Sequence, residues 1–495
     1  MVRAVLLLFS ALIISSGFAA ENPGVRIQAN QNAINYMKNI GLNILNKRVK
    51  GVQIPNVDGS ASIFHFWLSN ARITGFSVPS SQASITLHQP NGVSVGLSAS
   101  ANIAADYKVR VGSGWLHVDH SGSITASASA SAQAEGALVA IQNGKGAMNL
   151  NSCKVSINSL HIDFHGDLLD DILNLFRGIV EDIIKSKLSG IVCQELTTVV
   201  RDDVNRELAS LPTSIEDHSS DFFDKFGVDY SLVGNPSVQG DVAALSLRGK
   251  LWYDGHQNDP QIPKASPMPI IHNSDRMFCI NVDAGEVLGS GGYALWVSKK
   301  AHLLIDQDFV TKLGLQIGDW LHCNCSLKCI GALLPQIHSK CGTGGLVQFT
   351  IGLGSVPQVY VNSSGAYVGV AGAADFSGKL PNGTVLPLFS LYVTAKAIID
   401  SDVSLTDWKL KGKVRISDAQ LKLTSSQVGD IPQFLLNLVW KLALQVVVQA
   451  ELDKLANRGI PLPPIPDIQV LQPQVSFNNH VLSACFNAKY TGPQI

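Results

Sequence analysis

Two groups of residues have the types and spacing to do chemistry. Gly92-Val93-Ser94-Val95-Gly96 fits G-x-S-x-G, the elbow that presents a serine nucleophile on a sharp strand-to-helix turn. The surrounding sequence alternates apolar and polar residues, and the following LSASANIAADYKV has no helical period. The turn-to-helix context is missing, so Ser94 is read as a strand residue and the chain as a non-enzyme; a secreted hydrolase is the weakest alternative. The second group is His322, Cys323, Cys325, Cys329, His338 and Cys341. Zinc ligands come as C-x2-4-C pairs, which Cys325 and Cys329 satisfy and Cys323 and Cys325 do not. In a secreted chain disulfides are the expected use, so no metal and no cofactor is expected. Cys153, Cys193, Cys279 and Cys485 complete the eight cysteines. Their connectivity is not fixed by the sequence. Pairing Cys153 with Cys193 would close a loop of about 40 residues and contribute about 4 kcal/mol in the chain-entropy model.

A different chemistry lies in the basic residues. Net charge is −1 over 495 residues, which gives a nucleic-acid partner no support. Residues Asn22 to Leu160 nevertheless carry 10 basic and 4 acidic side chains, whereas His161 to Gly240 carry 6 and 15. Lys47-Arg48-Val49-Lys50 is a basic group that could meet an anionic surface. At the end of a helix, Lys47, Arg48 and Lys50 would also simply oppose the helix dipole.

Residues 1–20 read as a secretory signal: Arg3, an apolar run, then small residues. No later stretch is long and uncharged enough to span a bilayer; the most apolar, Phe434 to Ala450, is broken by Asn437, Lys441, Gln445 and Gln449. The expected product is secreted, with glycosylation sequons at Asn324, Asn362 and Asn382.

The elements that would position these residues follow from periodicity. Asp167 to Leu211 repeats apolar residues every three or four positions, which predicts one long amphipathic helix bent at Gly178 and Gly190. A short helix is expected from an Asn30 cap to Asn46. From Ile63 to Phe164 the period is two, predicting an antiparallel meander. Within it ITASASASAQA, Ile124 to Ala134, puts small side chains on one face and leaves room for something bulky opposite, or for close packing of a helix. Pro260, Pro263, Pro267 and Pro269 mark a stiff linker. Beyond it strands are expected at Met277 to Val282 and Tyr293 to Val297, then alternating strands from Val347 to Leu423 and a second long helix from Pro432 to Asn457. With helical patches near Asp306 to Leu315 and Cys329 to His338 before those alternating strands, both halves run short helix, meander, long helix.

Three phrases, in this order and spacing, resemble one known family. They are NPGVRIQANQNAINYMKNIG, then PIIHNSDRM with INVDAGEVLGSGGYALW, then NRGIPLPPIPDIQVLQPQVSFNNHVLSACFNAKY. The family is that of bactericidal/permeability-increasing protein, lipopolysaccharide-binding protein and the plasma lipid-transfer proteins. The resemblance implies an α+β boomerang: two β-barrel domains joined by a central antiparallel sheet, each barrel with a short and a long amphipathic helix. It implies residues 21–250 and 271–495 as lipid-binding domains around a linker at 251–270. It implies a Cys153–Cys193 disulfide, and an apolar pocket in each barrel for the acyl chains of phospholipid or lipopolysaccharide. On the first long helix the expected pocket residues are Leu169, Ile172, Phe176, Ile179 and Ile183. Lys47, Arg48, Lys50, Lys108 and Arg110 stand where bactericidal members place basic tip loops, with Trp115 nearby. These loops are less basic here than in strongly bactericidal members. The implied role is innate antibacterial defence at a bacterial surface, with a carrier or transfer protein lacking a defence role as the alternative.

Overall fold

The computed structural model describes residues 21–61, 64–113, 116–166, 170–217, 224–272, 275–315, 317–326, 329–400, 403–465 and 467–492. Residues 1–20 and Trp115 lie outside them, as does Leu169; the side chains of Ile172 and Phe176 are not described either.

Strand β1, Val25–Ala29, leads into helix α1, Gln31–Val49. The helix runs three residues past Asn46, so Lys47 and Arg48 sit in its last turn. Asn30 occupies the cap position but makes no capping bond; its amide donates to the Arg276 carbonyl at 2.9 Å. The first meander comprises β2, Val57–Ala61; β3, Phe64–Ser77; β4, Ala83–His88; β5, Gly92–Ser113; β6, Leu116–Ile141; and β7, Lys145–Gly166. They form one antiparallel sheet in which β3 and β4 both pair with β5, followed by β6 and β7. Helix α2, Asp170–Thr198, lies on this sheet and continues through a π turn, Val199–Val204, into Asn205–Ser210. Gly178 and Gly190, expected as bends, lie inside the helix and do not end it; its hydrogen-bonding pattern changes at the π turn.

The second half repeats the plan. Strands β8, Leu346–Leu353, and β9, Gln358–Asn362, both pair with β10, Gly365–Lys379, followed by β11, Val385–Ile399, and β12, Val414–Ser426. Helix α3, Gln433–Arg458, again contains a π turn, Trp440–Leu444. By length and composition α3 is apolar enough to cross a bilayer, contrary to the sequence expectation. In the fold its Leu436, Val439, Leu444 and Val447 are buried against the second sheet. Tyr293 to Val297, expected as a strand, is part of the helix Gly289–Val297. Tyr and Val have strand propensity, but tertiary packing overrides it: Tyr293 and Ala294 are buried, and the segment continues the helical turn Ala284–Leu288.

A third sheet joins the halves. Its antiparallel order is Ser237–Gln239, Val242–Leu247, β1, Phe278–Asp283, Val481–Tyr490, Ile468–Asn478. Cys279 and Cys485, directly opposite across two of these strands, are disulfide-bonded. The proline-rich segment packs along the same sheet: Ile262 and Met268 are buried, and Gln28 donates to the Ile271 carbonyl at 2.8 Å.

Candidate functional site

Alternation along β5 and β6 fixes which side chains meet α2. Leu97, Ala99 and Ala101 point inward from β5, and Ala126 to Ala134 at every second position point inward from β6. The intervening serines face out, where Ser129 and Ser159 hydroxyls are 2.7 Å apart. From the helix side Val180, Ile184, Leu188 and Val192, spaced by four, are buried against this surface. Alanine is too short to fill the space beneath Leu188 and Val192. An apolar cleft of about 10 Å³ remains there, lined also by Phe76, Ala99, Ala101, Ala130, Ala132 and Val155. That is room for about one water molecule, against roughly 300–1,000 Å³ for a ligand pocket, so α2 lies nearly closed on its sheet. Ile179 and Ile183, two of the expected pocket residues, pack half-buried at the flank of this core; Leu188 and Val192 line the cleft instead. The sequence pattern shows a wide apolar face and does not say which edge of it meets alanine. Cys153 and Cys193 are bonded, with Cα atoms 5.8 Å apart, beside Val155 and Val192. The bond therefore pins α2 at the cleft.

The five expected basic residues do not form one surface. Arg48 pairs with Asp203 on the π turn following α2, Nη1 to Oδ2 at 2.9 Å, and so ties α1 to the long helix. Lys47 and Lys50 are exposed near it. Lys108 and Arg110 lie elsewhere, over the Trp67 ring at 5.7 and 5.6 Å. Gly51 bonds Ile73, six residues along β3 from Trp67, so the two basic groups are roughly 20 Å apart along that strand. Asp119 on β6 accepts from Arg110 at 2.8 Å and approaches Lys108 at 3.1 Å. The Arg110 and Lys108 hydrogen bonds hold its carboxyl far below the ordinary carboxylate range. Beyond this cluster Leu116 and Val118 are 66% and 59% exposed, near the turn from β5 to β6. Because strand side chains alternate, Leu116 and Val118 project from the opposite face of this hairpin to Lys108, Arg110 and Asp119, so one face of the tip is apolar and the other charged. Sequence reasoning missed Leu116 and Val118; the signal was two apolar residues in LHVDH adjoining a Gly-containing turn.

The family model described as the LBP / BPI / CETP family N-terminal domain matches residues 33–204, and its C-terminal counterpart matches 220–490. The chain belongs to this family. Bactericidal permeability-increasing protein of Sebastes schlegelii is 22% identical over 480 residues, covering 95% of this chain and 96% of that protein. Lipopolysaccharide-binding protein of Bos taurus is 23% identical over 518 residues, covering 98% and 97%. Phospholipid transfer protein of Mus musculus is 25% identical over 273 residues, covering 54% and 52%. A crystal structure of lipopolysaccharide binding protein matches with a TM-score of 0.58 at 21% identity, covering 95% of this chain and 100% of that one. The α+β boomerang with two curled sheets and a joining sheet is therefore the fold of this LBP / BPI / CETP family chain.

The family is one of lipid-binding and transfer proteins, and the chain is not an enzyme. Ser94 sits in the β4–β5 hairpin, opposite Thr86 and Glu135, with its hydroxyl 2.8 Å from His88 Nε2 on the exposed face. No helix follows it. The Cys group resolves into disulfides Cys323–Cys341 and Cys325–Cys329. Asn324, Asn362 and Asn382 are all exposed.

Proposed function

We propose that the chain is a secreted lipid-binding protein that takes acyl chains between α2 and the alanine-lined face of β5 and β6. The observation that carries this reading is the wholly apolar cleft under Leu188 and Val192. Each CH2 buried there releases about 0.8 kcal/mol, which must offset the apolar surface of Val180, Ile184, Leu188 and Val192 that α2 exposes when it lifts. The tip presents Leu116 and Val118 to the acyl boundary and Lys108 and Arg110 to anionic headgroups. Asp119 offsets part of that charge, and Arg48 is engaged with Asp203, so the attraction is modest and salt-sensitive. Relatives named for bactericidal activity and lipopolysaccharide binding support lipopolysaccharide as the anionic lipid and defence at a bacterial surface as the role. Secretion, followed by removal of residues 1–20, accords with the four disulfides. The domain division at 251–270 is part of the same proposal.

Native mass spectrometry of gently purified protein tests the reading. Copurifying phospholipid is expected, with loss of that lipid in Ala130→Phe, which fills the cleft. Protein that carries no lipid and takes none from vesicles would overturn it. Binding to lipopolysaccharide-containing vesicles and to phosphatidylglycerol vesicles then separates a defence role from general anionic-lipid carriage.

A further inference from the structure

We propose that the groove on the outer face of β9 to β12 seats an N-linked glycan carried on Asn362 of the same chain. The groove is a shallow, open depression of about 380 Å³, with Tyr360 on one side, Gly369 and Ala371 as its floor, and Lys396, Asp418 and Gln420 on the other. Strand alternation builds it. Tyr360 pairs with Tyr367, the next outward position on β10 is Gly369, and Lys396 and Asp418 continue that row on β11 and β12. Gly369 and Ala371 carry almost no side chain, so a trough opens between the tyrosines and the polar edge.

The tyrosines form a fixed platform. Their rings stack at 4.9 Å with 20° between planes, and Lys396 Nζ lies 4.0 Å from the Tyr367 centroid. Tyr360 remains 49% exposed. A pyranose ring suits such a site: its C–H face packs on an aromatic ring, while its hydroxyls and acetamide need donors and acceptors of the kind at Lys396, Asp418 and Gln420.

Asn362 is two residues from Tyr360 on the same exposed face of β9, about 7 Å along the strand. Its Oδ1 accepts from Ser364 N at 2.9 Å, which leaves Nδ2 for the sugar. Secretory glycosylation bonds that nitrogen to the anomeric carbon of N-acetylglucosamine from a lipid-linked pyrophosphate donor; the nitrogen loses one proton and the lipid pyrophosphate leaves. Asn382 has the same turn geometry, with Oδ1 3.0 Å from Thr384 N, but Leu380 stands two residues before it. It has the sequon without the platform and serves as an internal control. The inference rests on secretion, as proposed above, and not on lipid binding.

The test uses the full chain secreted from glycosylating cells. Glycopeptide mass spectrometry reads occupancy, and hydrogen exchange reads protection of the 358–371 hairpin before and after peptide N-glycosidase treatment. Occupied Asn362 is expected, with exchange in that hairpin roughly threefold faster after the glycan is removed. Asn362→Gln should match the treated protein, and Asn382→Gln should match the untreated one. In Tyr360→Ser, glycan removal should change nothing. Unmodified Asn362 in a secreted product, or an occupied Asn362 whose removal leaves exchange unchanged, would overturn the proposal. Protection by added chitotetraose where the attached glycan gave none would also overturn it, because the groove would then take foreign sugar.

Discussion

Beneath α2 the sheet turns Ala99, Ala101, Ala130 and Ala132 inward, whereas the second sheet turns Phe349, Phe376 and Phe389 into a core that the short helix Pro335–Cys341 shares with α3. Those three rings lie in one row across β8, β10 and β11, stacked at 4.8 and 4.4 Å. All three are at most 2% exposed. The strand order, the doubled pairing on one strand and the helix with a π turn are shared. The difference lies in side-chain volume on the inner face. Small residues leave the first helix over a gap, and aromatic rings fill the part of the second core that the short helix Pro335–Cys341 covers. Common topology therefore does not imply common packing, and the acyl site proposed above lies in the first half.

Breaking the filled half should cost most. Phe376→Ala removes the middle ring of the stack and should destabilise by about 3–5 kcal/mol, read as a lower denaturant midpoint. A silent result would mean that the second core is not close-packed and would dissolve the contrast. Removing the link in the gapped half comes next. Cys153→Ala with Cys193→Ala should cost about 2–4 kcal/mol. It should also speed exchange of α2 amides and lipid uptake, because the helix is then free to lift at the cleft. Filling the gap is a smaller perturbation. Ala132→Leu should cost about 1–3 kcal/mol by overpacking and should reduce copurified lipid; retained lipid would move the acyl site elsewhere. The smallest expected effects are at the tip. Lys108→Ala or Arg110→Ala should each weaken attachment to anionic vesicles by up to about 1 kcal/mol, roughly fivefold, at low salt. Asp119→Asn should strengthen it, and all three effects should shrink as salt rises.

Elements with strong periodicity were legible in the sequence. The long helix was expected over Asp167 to Leu211 and occupies 170–210 with its π turn; the second was expected from Pro432 to Asn457 and occupies Gln433–Arg458. The alternation of ITASASASAQA foretold an inner face of small residues opposite something bulky. What sequence could not supply was pairing across distance. Nothing local says that Arg48 meets Asp203, 155 residues away, or that Lys108 and Arg110 share Asp119. Each therefore reads as an available cation until the fold brings its partner. The same limit explains Ile179 and Ile183: periodicity defines an apolar stripe, but where the gap falls along it depends on the residues of another element.

Strand β1 carries a consequence for how the protein is made. It is synthesised well before its neighbours, Val242–Leu247 and Phe278–Asp283, and the latter pairs with Val481–Tyr490. The joining sheet cannot be completed until Val481–Tyr490 has left the ribosome. A fragment ending at residue 250 would expose one edge of β1 without the strand that covers it. The two halves are thus better regarded as co-translational dependants than as modules to be cut apart, and chaperone demand should persist until the final strand docks.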